Sequence, residues 1–416
     1  MKANSVPSFE KLSTHLARTA AALAWAMLLA LTIVATPGAQ AQTYNVIHTF
    51  TGGGDGANPF AGVTIDAAGN LYGTTAFGGS AGNGSVFKLT HSQSGWVLAS
   101  LYIFAGGNDG AAPWGRVALA RDGSLYGTTH YGGDSYGCGT VFHLTPSPTA
   151  PKSVLAPWNE IVLYRFTFPS AGCNPQGDLT FDQSGSIYGT TLESVYELTP
   201  TGGGWTETTL YQVVGLYYFH GGVVFDKSGN LYGVENPYGN TSVPEVGSVY
   251  QLSPSGSGWT GQTLYAFTGG SDGADPYGGL ILDPSGNLYG TTQLGGSGGG
   301  GTAFELTPAN GGWTLNTLYG GFSPGCCGGP YDKLVMDAAG NLYGTTASGG
   351  AYGGGNVFKL THGIGGWTYT SLYDFTGGSD GANPISTLVF DANGNLYGTA
   401  AYGGAYGNGV VFEITP

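Results

Sequence analysis

Few residues of this chain carry chemistry of their own, and none stands in a familiar catalytic spacing. There is no Ser-His-Asp arrangement, no His-x-x-x-His pair and no Cys/His set at metal-ligand distances. Seven positions stand out instead: Trp114, Arg116, Asp178, His220, Tyr277, Tyr331 and Lys333. Aromatic rings can stack on the apolar faces of sugars, and isolated charges can fix the orientation of a polar ligand. The carboxylates Glu193, Glu235 and Asp178 could do acid–base work if they met on one surface. Asp55, Asp109, Asp272 and Asp380 recur in the phrase Gly-Gly-x-Asp-Gly-Ala-x-Pro. An acid there could ligate calcium, but known calcium loops gather several oxygens at close spacing, whereas Asp-Gly is first a turn signal. A turn is the expected role, and no metal or cofactor is expected.

The elements that must position these residues follow from a repeat. Leu71-Tyr72-Gly73-Thr74-Thr75 recurs, with variations, from Leu125, Ile187, Leu231, Leu288, Leu342 and Leu396, at spacings of 54, 62, 44, 57, 54 and 54 residues. That period suits four strands per unit. In the last unit, strand a reads Thr387 to Phe390 and strand b Leu396 to Thr399. Asp391 to Asn395 turns between them. Strand c reads Val410 to Ile414, and a strand d precedes the unit from Trp367 to Phe375. Alternation in the Leu-Tyr and Val-Phe pairs gives one residue to each neighbouring sheet. Residues Tyr44 to Phe50 match a strand d, while the sequence ends at Pro416 just after a strand c. The expected fold is therefore an all-β seven-bladed propeller. Its N-terminal strand completes the last blade and closes the ring.

Seven copies in one chain allow each slot to be compared with its equivalents. The repeated Tyr of strand b and the Trp that opens strand d (Trp96, Trp205, Trp259, Trp313, Trp367) serve the blade itself. The residues opening strand a, nearest the channel, vary: Phe60, Trp114, Gln176, His220, Tyr277, Tyr331 and Ile385. Two slots later stand Arg116, Asp178 and Lys333, with Asp332 beside the last, where other blades have Gly or Thr. This is an aromatic collar with a few charges. Cys138 and Cys173 fall in loops of adjacent blades on one face, and an exported protein would oxidise them to a disulfide. Cys326 and Cys327 could pair with each other or stay free.

Several spaced phrases together resemble a known family. Asp66-x-x-Gly69-Asn70-Leu71-Tyr72-Gly73-Thr74-Thr75, the Gly-Gly loops and Val141-Phe142-x-Leu144-Thr145-Pro146 are similar to the bacterial GloVer repeat of "choice-of-anchor tandem repeat" proteins. The resemblance spans residues 44–416. It implies an extracellular or envelope-associated bacterial protein, often held by a C-terminal sorting segment, and no such segment stands after Pro416. It implies no particular activity.

The N-terminus supports export. Lys2, Lys11 and Arg18 precede an apolar run from Ala20 to Ala35, and Ala39-Gln40-Ala41 gives small residues at both key positions. That is the order of a signal peptide over residues 1–41, leaving 42–416 as one propeller domain. The run falls short of the roughly 20 residues a comfortable span requires. Residues 1–41 take three basic groups and Glu10 with them. The remainder has 8 Lys+Arg against 24 Asp+Glu, a net charge of −16. Nucleic acid and anionic membrane surfaces are thereby disfavoured as partners, and a soluble monomer is expected. The sequence thus points to a secreted or periplasmic binding module, with a glycan or another envelope component as partner. A polysaccharide- or lactone-acting lyase or hydrolase and a structural envelope protein remain open alternatives.

Overall fold

The structure is a computed structural model that describes residues 42–146, 158–168, 172–213, 217–237, 246–256, 258–324 and 329–415. The signal peptide expected over residues 1–41, the cleavage site expected after it and the Cys326-Cys327 pair lie outside them. Among the described residues there are strands and no helices.

Residues Tyr44–Thr415 form one compact unit, a seven-bladed propeller. In the first blade, strands a to d are Val63–Ile65, Leu71–Thr75, Ser85–Ser92 and Gly95–Ile103, hydrogen-bonded in that order. The seventh contains Val389–Phe390, Leu396–Ala400 and Val410–Thr415, and its outer strand is Thr43–Thr49 from the other end of the chain. The ring closes as the sequence predicts. The fourth blade carries one strand more, Tyr217–Tyr218, paired to Leu231–Pro237.

The repeated phrase works as a single hydrogen-bonded unit. Asp66 Oδ1 accepts the amides of Ala68 and Asn70, while Oδ2 accepts Asn70 Nδ2 at 2.7 Å and the Tyr72 hydroxyl at 3.0 Å. Burial alone would raise the Asp66 carboxyl, but these donors outweigh it and hold the group below its usual value. Tyr72 is thereby tied to its own turn, with its ring in the interface to the next blade. The glycine of the phrase is required by a close approach. A Cβ on Gly73 would lie 2.5 Å from Cζ of Phe87 in strand c.

The core is a set of interfaces between blades. Tyr72 and Val86 of the first blade pack against Leu125, Phe142 and Leu144 of the second. The same arrangement closes the ring, where Tyr397 and Val411 of the last blade meet Leu71, Phe87 and Leu89 of the first. Truncating a fully buried ring such as Phe87 to Ala is expected to cost about 3–5 kcal/mol.

Strand a is shorter than expected. Only Val389–Phe390 of the four-residue run pairs in the last blade, and most other blades also pair just two residues there. The collar residues precede this short ladder. They sit on the connection that leads from strand d of one blade into strand a of the next, where the chain first reaches the channel.

Candidate functional site

At the face carrying the d–a and b–c loops, the channel opens into a cavity of about 340 Å³. All seven collar residues line it, from Phe60, Trp114, Gln176 and His220 to Tyr277, Tyr331 and Ile385. Arg116, Asp178, Asp332 and Lys333 line it too.

The charges form one cluster. Arg116 Nη2 donates to Asp178 Oδ2 at 2.8 Å across the boundary between the second and third blades. Lys333 Nζ donates to the same oxygen at 3.4 Å from the sixth blade, on the far side of the ring. Burial alone would raise Asp178, but the two cations outweigh it and hold the carboxyl below its usual value. Asp332 is pushed the other way by burial and by the nearby charge of Asp178. Its two oxygens accept the amides of Lys333 at 2.7 Å and Thr387 at 2.8 Å, so it braces the backbone. Arg116 uses only a fraction of its five donors on Asp178. The paired side chains keep 20% and 22% of their surface open, enough for a ligand to reach them.

Two of the remaining slots in this row, Gly62 and Gly222, are glycine for a reason. A Cβ on Gly222 would lie 2.5 Å from the Asp178 carbonyl, and one on Gly62 would lie 2.4 Å from that of Thr387. Neighbouring inner strands approach too closely there for a side chain.

The rings form two walls. On one, Trp114 stacks on His130 with centroids 4.0 Å apart, and Phe60 meets Trp114 edge-on at 5.9 Å. On the other, His220 stacks on Tyr277 at 4.0 Å, and Tyr277 lies 4.2 Å from Tyr331. Burial, with a smaller contribution from His130, pushes His220 down to about 4. Burial also holds His130 at about 4. Both imidazoles are neutral at pH 7 and stack as uncharged rings. Trp114 Nε1 and His220 Nδ1 are buried without a hydrogen-bond partner among the described residues.

His130 escaped the sequence reading, although a signal was present. The residue after the Thr-Thr of strand b is Ala76, Ala347 or Ala401 in three blades and Leu192, Asn236 or Gln293 in three others, and only the blade that carries Trp114 has a titratable ring there, His130.

The other sequence candidates lie apart. Glu193 and Glu235 do not line the cavity. Glu193 Oε2 accepts the Cys173 amide, and Glu235 Oε1 accepts the Ser248 hydroxyl in place of the Thr–Ser pair found in the first blade. The loop aspartates close their own turns. Asp272 accepts the amide and hydroxyl of Thr268 and the Tyr265 hydroxyl, and Asp55 likewise takes both donors of Thr51. Among the described residues no three His, Cys, Asp or Glu side chains gather as a metal site. Cys138 and Cys173 are joined by a disulfide between adjacent blades.

The model of the Gloeobacter/Verrucomicrobia repeat matches residues 33–241 and again 220–416. The chain belongs to this repeat family. No curated protein matches it. Solved structures share the fold at low identity. One is the extracellular domain assigned to a hybrid two-component system of B. thetaiotaomicron, with 13% identity and a TM-score of 0.57. That match covers 90% of this chain and 42% of the other. Another was assigned as a 6-phosphogluconolactonase of Bacteroides fragilis, with 16% identity, a TM-score of 0.50 and coverage of 82% and 88%. At these identities the likeness is one of architecture, and the family's repeats supply the scaffold on which the cavity is built.

Proposed function

We propose that the protein is an exported saccharide-binding module that takes a sugar in the channel-mouth cavity. The observation carrying this reading is the convergence of Arg116, Asp178 and Lys333 between two aromatic walls in a recess of about 340 Å³. Sugar hydroxyls both donate and accept. Asp178 supplies an ionised acceptor, the two cations supply donors, and the aromatic walls suit the apolar faces of a pyranose. Binding is favoured over catalysis because Glu193 and Glu235 lie off the cavity and both Asp332 oxygens are held by backbone amides.

Export rests on the N-terminal pattern, with cleavage expected after Ala41. No described helix is long and apolar enough to cross a membrane. Intact mass of the exported protein should begin at Gln42; an intact apolar N-terminus would mean a membrane anchor instead.

The binding claim is tested on a glycan array with wild type and the double variant Trp114→Ala/Arg116→Ala. Wild type should bind a subset of glycans, and the variant should lose them while still unfolding cooperatively with the circular dichroism of the wild-type β-sheets, at a lowered midpoint. An array blank for wild type, or binding retained by the variant, overturns the assignment.

A further inference from the structure

The residue that enters the b–c loop also differs among blades. It is Tyr402 in the seventh, Phe77 in the first and Tyr131 in the second, three consecutive blades of the ring. The fifth and sixth blades have Leu294 and Ser348 there, and the third has no glycine loop. These three rings remain 46%, 44% and 48% exposed although a polar residue would serve the loop equally well.

Their backbones are held rigidly. Phe77 exchanges two hydrogen bonds with Ala57, as Tyr131 does with Ala111 and Tyr402 with Ala382. Each ring also touches the collar. Phe60 meets Phe77 at 6.3 Å and Tyr402 at 6.2 Å, and Trp114 meets Tyr131 at 6.3 Å. With the Phe60–Trp114 contact, five rings make one continuous arc. Phe60, Trp114 and Tyr402 line the cavity, while Phe77 and Tyr131 lie outside its lining. A contiguous set of rings thus leads out of the recess over the seventh, first and second blades, and none of its five side chains is charged; the fifth blade offers only an aliphatic Leu294 in that slot. Contiguous exposed rings of this kind mark a binding surface, unlike single exposed apolar residues.

The floor of the recess limits how a ligand can enter. Lys333 reaches across the ring axis to Asp178, and Arg116 joins them, so a polymer would have to thread past an ion cluster. A chain end meets no such obstacle.

We infer, resting on the saccharide reading above, that the site binds the end of a neutral oligosaccharide. The terminal unit occupies the cavity, and the following units leave over the Phe60–Trp114 edge onto Phe77 and Tyr131. Rings fixed before binding lose little freedom when a sugar stacks on them, so each added unit should raise affinity.

The test is calorimetric titration of the full mature chain with three length series: glucose to cellohexaose, mannose to mannohexaose, and N-acetylglucosamine to chitohexaose. In a series that binds, affinity should rise about tenfold or more from monomer to trimer and then level off. The variant Phe77→Ala/Tyr131→Ala should bind the monomer as wild type does but lose most of that rise. Trp114→Ala/Arg116→Ala should weaken every length. Equal affinity for monomer and hexamer, or an undiminished rise in the Phe77/Tyr131 variant, overturns the chain-end inference and leaves the cavity reading standing. No binding by wild type in any series removes both.

Discussion

Arg116 and Asp178 come from different blades, 62 residues apart in sequence, and meet at 2.8 Å in the mouth of the channel. Lys333 completes the contact from 155 residues beyond Asp178. The charged pair is partly desolvated, so its worth depends on both partners being present. Removing one strands the other. Asp178→Asn removes the carboxylate that both cations contact and leaves only Asp332 to offset them, so it should cost about 2–3 kcal/mol. Lys333→Met breaks only the longer contact and should cost about 1 kcal/mol or less. Chemical denaturation of the two variants checks the order, and a larger loss for Lys333→Met would contradict this geometry.

A second prediction concerns the non-glycine residue before the proline in five of the d–a loops. Asn58, Ala112, Asn174, Asp275 and Asn383 all have φ between 52° and 60°. Asn58, Asn174 and Asn383 also send their side-chain amides to the carbonyls of Ala401, His130 and Ala347 in the preceding blade. Ala112 tolerates this left-handed conformation poorly and has no amide to offer; its equivalent acceptor is Ala76. Ala112→Asn should therefore stabilise the protein by about 1 kcal/mol, visible as a rise in thermal midpoint. A fall would show that the second blade lacks the geometry of the others.

Closure of the ring makes the N-terminal strand indispensable. Tyr44 stacks on Tyr373 at 3.7 Å and donates its hydroxyl to the Asp380 carbonyl, so the strand is locked in by packing as well as by the ladder. A chain starting at Phe50 exposes the Val410–Thr415 edge. It should lose more than about 3 kcal/mol and tend to associate, as sedimentation and thermal unfolding would report. An unchanged midpoint would contradict closure.

The pH dependence has a definite sign. Unfolded, His220 takes up a proton near 6.5; folded, it resists until about 4. Its contribution is therefore full above pH 6.5 and is lost as pH falls from there towards 4. Stability of His220→Gln should fall less steeply than that of wild type between those values. Parallel curves would mean that His220 titrates normally in the folded protein.

The sequence made the architecture legible because seven copies align with one another. A residue repeated in every blade, such as the Tyr of strand b, was recognisable as structural, and exceptions such as Trp114 and Arg116 pointed to the channel. What it concealed arises from contacts between blades. No local pattern announces that Lys333 will cross the ring to Asp178. The left-handed residue before proline was hidden because such a position is ordinarily extended. The register shift opposite Val86 and Phe87, which recurs in other blades, was hidden as well.

The central claim is that a sugar occupies the recess between Trp114 and Tyr277 with its hydroxyls on Asp178. Soaking crystals of the propeller, residues 42–416, with an array-positive oligosaccharide tests this most directly. Density for a pyranose ring against those aromatics, with an oxygen within hydrogen-bonding distance of the Asp178 carboxylate, is the result predicted. Density for the sugar elsewhere on the propeller, with the recess holding only solvent, would contradict it.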